Sequence, residues 1–198
     1  MKYPSHLISL IEFFKKFPGV GQKSAERFAF SLLDWPKEQL SAFGKTITKT
    51  PEEIHYCSRC GAMAKDNSCF YCDDTKRECD VICVVAFPKD IFSIEDSHFY
   101  NGLYHVLGNV LSPSSGFNHD EIDLEPLKNR LKTLDASELI LAFDSTVEGD
   151  ATTLLLKREL SSSGVKMSRL AFGMPVGSSL EYIDSSTLSR AFAGRQGF

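Results

Sequence analysis

Four cysteines in two C-x-x-C pairs, Cys57/Cys60 and Cys69/Cys72, carry the most directive chemistry in the chain. A C-x-x-C turn brings two sulfurs to adjacent vertices of a tetrahedron with bonds of about 2.3 Å to a zinc ion, and two such turns fill the coordination shell. A filled shell leaves no open position for a substrate, so the expected role is structural Zn2+, one ion per chain, rather than Lewis-acid catalysis. A redox pair, or four unrelated buried thiols, fits less well, because a redox C-x-x-C is expected beside a βαβ pattern rather than paired with a second one. His55 could substitute as a ligand, but four thiolates complete the set without it. Cys79 and Cys83 fall at or in a strand and read as small apolar side chains.

The stretch PGVGQKSAER, residues 18–27, suggests a second chemistry. Gly19 and Gly21 permit a sharp turn with positive φ, and the amides that open the following helix face outward, where its dipole favours an anion. Lys23 and Arg27 lie one helical turn apart and can face one phosphate track, a sequence-independent contact to a DNA backbone. The plainer alternative is an interhelical turn with two solvated cations. The local charge favours the phosphate reading: residues 1–50 hold eight Lys and Arg against four Asp and Glu, on a chain whose formal net charge is −4.

Asp144 and Glu148 follow a predicted strand in AFDSTVEGDATT, and Asp150 opens the next helix. Acids at the carboxyl ends of parallel strands could hold Mg2+ for phosphoryl transfer. They could equally cap a helix and complement its dipole, which is the better reading of residues so common in a first turn.

The elements that must position these groups fall into three regions. Leu7, Ile8, Ile11, Phe14 and Phe17 recur at helical spacing up to Pro18. Ala25, Phe28, Ala29 and Leu32 share one face of a second helix, and a third follows Trp35 with Leu40, Phe43 and Ile47 turned inward. Between Tyr56 and Lys76 hydrophobic periodicity vanishes, as expected where a metal holds the chain. Beyond it, apolar runs at 81–87, 139–143 and 169–173 alternate with helical stretches such as 149–162, the pattern of βα units on a mostly parallel sheet. The last stretch ends in a helix that Asp184 or Ser185 could cap.

The 198 residues allow one medium domain or a few small ones, and 42% hydrophobic with 24% charged residues exclude a disordered chain. Acids gather in HDEIDLEP and around VEGD. No apolar run approaches the ~20 residues that span a bilayer, and Glu12 interrupts the opening stretch before a secretory core could form, so a cytoplasmic protein is expected.

These parts, in this order, resemble the RecR family of bacterial recombination mediators over essentially the whole chain. PGVGQKSAERFAF, C-x2-C-x8-C-x2-C, GLYHVLGNVLSP, STVEGDAT and MPVGSSLEYIDSSTLSRAFAGR carry the resemblance. It implies a multi-domain α/β protein: a helix-hairpin-helix DNA-binding domain at 1–54, a four-cysteine zinc finger at 55–77, a Rossmann-like Toprim domain at 78–174 and a C-terminal oligomerisation segment at 175–198. By the same resemblance Gly19, Gly21, Lys23 and Arg27 contact DNA, Cys57, Cys60, Cys69 and Cys72 bind zinc, and Asp144 and Glu148 bind partners. It further implies a ring-like homotetramer that engages single-stranded, double-stranded or gapped DNA in the nucleoid and works with RecO and RecF to load the RecA recombinase at gaps. One departure concerns catalysis. Catalytic Toprim domains, and most RecR sequences, carry a glutamate at the end of the first strand, and here Ala86 stands in that place. Alanine neither titrates nor coordinates, so a non-catalytic Toprim domain is expected. Asp144 stands where many relatives have asparagine, which restores one acid but not the usual catalytic set.

Overall fold

The computed structural model describes residues 3–65, 68–112, 122–171 and 173–195. They fall into two compact units, Met1–Glu53 and Ile54–Phe198.

The first unit is helical. Helix α1 (Ser5–Lys15) and helix α2 (Gln22–Leu33) pack through Leu7 and Ile11 on one side and Ala25 and Ala29 on the other. Each pair is spaced i, i+4 and so lies on one stripe; the two alanines, fully buried, let the helix backbones approach closely. Phe14 meets Phe28 edge-on at 5.7 Å. Two tight bonds, Lys16 N to Phe13 O and Phe17 N to Phe14 O, close the end of α1 before Pro18, which has no N–H to continue the ladder.

Three apolar residues expected inside this unit are not: Ile8 and Phe17 are exposed and Phe28 lies at the margin. Helix α3 (Lys37–Glu53) departs further, since none of its residues is buried. Leu40 is half-buried, while Phe43 and Ile47 are exposed; Trp35 stacks edge-on against Phe43 at 5.7 Å. The amphipathic spacing correctly marked a helix with an apolar face, but two short helices offer too little surface to cover a third.

The second unit opens with an antiparallel ribbon, strands β1 (Ile54–Tyr56) and β2 (Met63–Lys65), that brackets the first C-x-x-C. Strand β3 (Glu78–Val85), helix α4 (Pro88–Glu95), strand β4 (Gly102–Val106), helix α5 (Glu125–Leu134), strand β5 (Glu138–Ala142), helix α6 (Val147–Glu159) and strand β6 (Lys166–Arg169) follow. The four long-range strands form a parallel sheet in the order β4-β3-β5-β6. Alternation along the central strand divides two apolar layers. Ile82 and Val84 face Leu127 and Leu131 of α5 and Leu155 and Leu156 of α6. Cys83 and Val85 face Ile91 of α4, together with Cys60, Ala62 and Cys69 from the cysteine-rich segment.

Strand bounds differ from the apolar runs because pairing, not hydropathy, sets them. Glu78 pairs with Gly102, which starts β3 in its polar, exposed half, and β6 begins at Lys166 opposite Glu138. Phe172, in the run expected as the last strand, lies outside the described residues, as do His119, Asp120 and Glu121 of the acidic stretch. A short 3-10 turn (Leu180–Tyr182) leads to helix α7 (Ser185–Ala193), whose cap is Asp184: its Oδ1 accepts from the amides of Ser186 and Thr187. No described helix is long and apolar enough to cross a membrane.

Candidate metal centre and nucleic-acid interface

The sulfurs of Cys57, Cys60, Cys69 and Cys72 all lie within 4.8 Å of one another, and those of Cys60 and Cys69 are 3.6 Å apart. A tetrahedron with bonds of about 2.3 Å has vertices roughly 3.8 Å apart, so this donor set fits one ion of the zinc type. Each pair is shaped by its own backbone. Gly61 N donates to Cys57 O and Cys57 N to Ala62 O, both at 2.8 Å, with Gly61 at φ +75°. The second pair is wound by Asp73, whose Oδ2 accepts from Cys69 N at 2.7 Å while its Oδ1 pairs with Arg59. The Arg59 hydrogen bond holds the Asp73 carboxyl below the usual carboxylate range.

A hydrogen bond with Cys60 lowers the Cys72 pKa to about 5, with Arg130 adding to the shift. The same bond, followed by burial, pushes the Cys60 thiol up. His55 lies on β1 and is not part of the cluster, and Tyr71, between the last two cysteines, stacks edge-on with Tyr104 of β4 at 5.2 Å. Of the remaining two cysteines, Cys83 is buried in the sheet, its thiol pushed up to about 12 by burial. Cys79 is exposed on the polar half of β3, contrary to its expected apolar role.

In the first unit the turn between α1 and α2 needs left-handed backbone at one glycine only. Gly19 has φ +76°, whereas Gly21 is the extended N-cap of α2 at φ −80°. The expectation of positive φ at both is corrected: once Gly19 reverses the chain, position 21 enters a helix through ordinary extended geometry. Lys23 and Arg27 are both exposed on the first two turns of α2, and the Arg27 guanidinium lies 5.7 Å from the Phe28 ring centroid. Among the described residues neither cation forms a salt bridge. The only acid nearby on that helix, Glu26, is taken by Gln22 at 2.7 Å.

The crevice of the parallel sheet opens where the strand order reverses, between the carboxyl ends of β3 and β5. Ala86 and Phe143 stand there, both buried. Asp144 follows on the exposed loop, and Glu148 is half-buried in the first turn of α6. The cap of α6 is Thr146, whose hydroxyl accepts from Gly149 N at 3.2 Å, so neither acid caps the helix, though Glu148 and Asp150 do occupy its first turn. Asp150 bridges two arginines, Arg169 Nη1 at 2.7 Å and Arg190 Nη2 at 3.0 Å, and Arg190 also donates to Ser145 at 2.6 Å. The Arg169 hydrogen bond is the leading cause holding its carboxyl below the ordinary range.

Sequence reasoning missed Arg59, Asp73 and Arg130 at the sulfurs, and Arg169 and Arg190 at Asp150. Only Asp73, one residue past a metal-type cysteine, had a local signal, as an acid able to accept the amides of a turn.

The matches to known proteins follow the same division. A family model for the RecR helix-hairpin-helix matches residues 7–50, one for the Toprim domain residues 80–171, and one for the RecR C-terminal region residues 173–196. The four cysteines lie between the first two matches. Among curated proteins, recombination protein RecR of Protochlamydia amoebophila (strain UWE25) is 52% identical over 198 residues, all of both chains. Its namesake in Chlamydia abortus is 46% identical over 197 residues, covering 98% of each chain. That of Chlamydia trachomatis serovar D is 43% identical over 200 residues and all of both chains. The helical hairpin, the four-cysteine cluster, the parallel sheet and end-to-end similarity agree: this chain belongs to the RecR family of DNA recombination and repair proteins.

Proposed function

We propose that the protein is a non-enzymatic recombination mediator that grips DNA locally through Gly19, Gly21, Lys23 and Arg27 while its acidic remainder serves protein partners. The observation that carries this reading is the pair of exposed cations one turn apart at the start of α2, unpaired among the described residues and preceded by a left-handed glycine turn. Amides at the helix start and two exposed cations suit phosphates without reading bases. The test is fluorescence anisotropy of labelled single-stranded and gapped DNA titrated with salt. Each neutralised phosphate contributes a slope of about −0.7 to −0.9 in log affinity against log salt, so Lys23→Ala with Arg27→Ala flattens the slope by roughly 1.4 to 1.8 per engaged chain. An unchanged slope removes both residues from the contact.

Around that grip the assignments extend the family reading. Cys57, Cys60, Cys69 and Cys72 hold one structural Zn2+; the fit of four sulfurs to one tetrahedron supports this. The borders 1–54, 55–77, 78–174 and 175–198 divide DNA binding, metal, Toprim and assembly functions. Asp144 and Glu148, exposed and half-buried near the sheet crevice, offer an acidic surface to RecO and RecF in RecA loading at gaps. A homotetramer in the cytoplasm, acting at the nucleoid, is the expected form, and the exposed apolar residues of α3 and of the last segment (Ile47, Val176, Tyr182, Phe192) suit self-assembly. Magnesium chemistry is disfavoured because β3 brings Ala86, not an acid, to the crevice, and Asp150 is committed to two arginines.

A further inference from the structure

We propose that Arg130, on helix α5 of the sheet domain, is a positioning residue of the metal centre that neutralises the Cys72 thiolate and fixes both halves of the cysteine cluster with one guanidinium. The proposal rests on the metal reading above and adds to it a residue far from the cysteines in sequence.

Two contacts define the role. Arg130 Nη2 donates to Cys72 Sγ at 3.3 Å, and Nη1 donates to the carbonyl of Arg59, the residue before Cys60, at 2.6 Å. One planar fork therefore touches both C-x-x-C turns, which lysine, with a single point donor, cannot reproduce. The inner edge of the half-buried guanidinium is also drawn out of water: its Nε is buried without a hydrogen-bond partner among the described residues. A cation in that position needs a counter-charge, and no carboxylate pairs with it among the described residues, in contrast to Arg59 with Asp73 and Arg77 with Glu95. The counter-charge on hand is the Cys72 sulfur. Four thiolates around a divalent ion carry a net charge of about −2, and a hydrogen-bonded cation beside one of them offsets part of it. Groups that hydrogen-bond to ligands orient them and tune the ion, and their loss typically costs about 10- to 100-fold in metal affinity.

The experiment uses the full-length protein purified with zinc, in wild type, Arg130→Met, Arg130→Lys and Leu131→Ala. Leu131 is buried on the same helix but belongs to the layer of Ile82 and Leu139, so its truncation destabilises α5 without touching sulfur. Zinc content is measured by mass spectrometry, release to excess EDTA is followed with a colorimetric chelator, and Co2+-substituted samples give the thiolate-to-metal charge-transfer band.

Arg130→Met is expected to release zinc roughly 10- to 100-fold faster than wild type, with Arg130→Lys in between. Its charge-transfer band should move to lower energy, because a sulfur relieved of its donor is more electron-rich. Leu131→Ala should leave the band in place. Wild-type release and an unshifted band in Arg130→Met overturn the proposal. If that variant does not fold, Arg130→Lys decides in the same way, since it keeps charge and bulk but loses the fork. A wild-type protein that folds with no zinc refutes the metal reading itself, a result distinct from unaltered release in the variants.

Discussion

Gly61→Ala is the sharpest test of how the cysteine cluster is seated. Two costs are visible at that position. The backbone is left-handed at φ +75°, which costs an alanine about 1–2 kcal/mol. A Cβ there would also lie 2.9 Å from Val106 Cβ and 3.2 Å from Val106 O, closer than packed atoms tolerate. Overpacking of this kind costs about 1–3 kcal/mol, for a total of roughly 2–5 kcal/mol. Gly19→Ala is the internal control, with the same backbone at φ +76° but nothing within 4 Å of its Cβ, so it should cost only the first amount. Trp35, the one tryptophan, lies in the helical unit and reports Gly19→Ala by fluorescence. Far-ultraviolet dichroism and zinc retention report Gly61→Ala in urea titrations of the zinc-loaded chain. If Gly61→Ala is no more destabilising than Gly19→Ala, the first C-x-x-C turn is free to move off β4 and the seating described above is wrong.

Two further outcomes follow from the same geometry. Gly21→Ser, at an extended N-cap, should be neutral or stabilising by a few tenths of a kcal/mol, as read by the Trp35 transition; a loss above about 1 kcal/mol would mean that position 21 needs glycine after all. Arg77→Met breaks a bidentate pair with Glu95 at 2.7 and 3.0 Å and removes a cation that lies 5.0 Å from the Tyr71 ring centroid and 5.7 Å from that of Tyr104, at a cost of about 3 kcal/mol near neutral pH, the lower end because Glu95 keeps some access to water. Burial works against it, yet Arg77 and the Tyr104 hydroxyl hold the Glu95 pKa below the ordinary glutamate range. This contribution is therefore complete above that range and disappears as pH falls through the folded value. The stability gap between wild type and Arg77→Met, from urea midpoints across the acid range, should narrow as pH drops; a gap that stays constant contradicts the assignment.

Local chemistry in the sequence announced the parts whose signals are short-range. C-x-x-C spacing, the turn at Gly19, helical stripes in α1 and α2 and the apolar run of β3 each depend on neighbours in the chain, and each marks its element, though β3 starts three residues before its apolar run and Ile8 and Phe17 stay outside the helical core. Features made by distant partners were silent. Strand β4 is only five residues, Gly102–Val106, one of them a buried histidine, and its burial comes from β3, α4 and Tyr71 rather than from its own pattern. Arg130 is 58 residues from Cys72 and reads as one more cation on an amphipathic helix until the fold brings them together. Asp150 looked like a member of an acidic site because Arg169 and Arg190, which claim it, arrive from β6 and α7. The inward face assigned to α3 shows the opposite limit: periodicity reveals an apolar stripe but not whether the chain itself supplies a cover.

The bond from Val106 N to Cys60 O, at 2.8 Å, has a consequence for solubility. Strand β4 is the margin of the parallel sheet, with β3 on one flank only. Unpaired amides and carbonyls on such a margin are a template for another strand, and proteins block them with cover or charge. Here the cover is the first cysteine turn, fastened at Val106 on one side and by Arg130 on the other. Stripping the ion therefore does more than loosen a loop. It bares a sheet edge, and metal-depleted protein should be lost to intermolecular strand pairing before it is lost to unfolding.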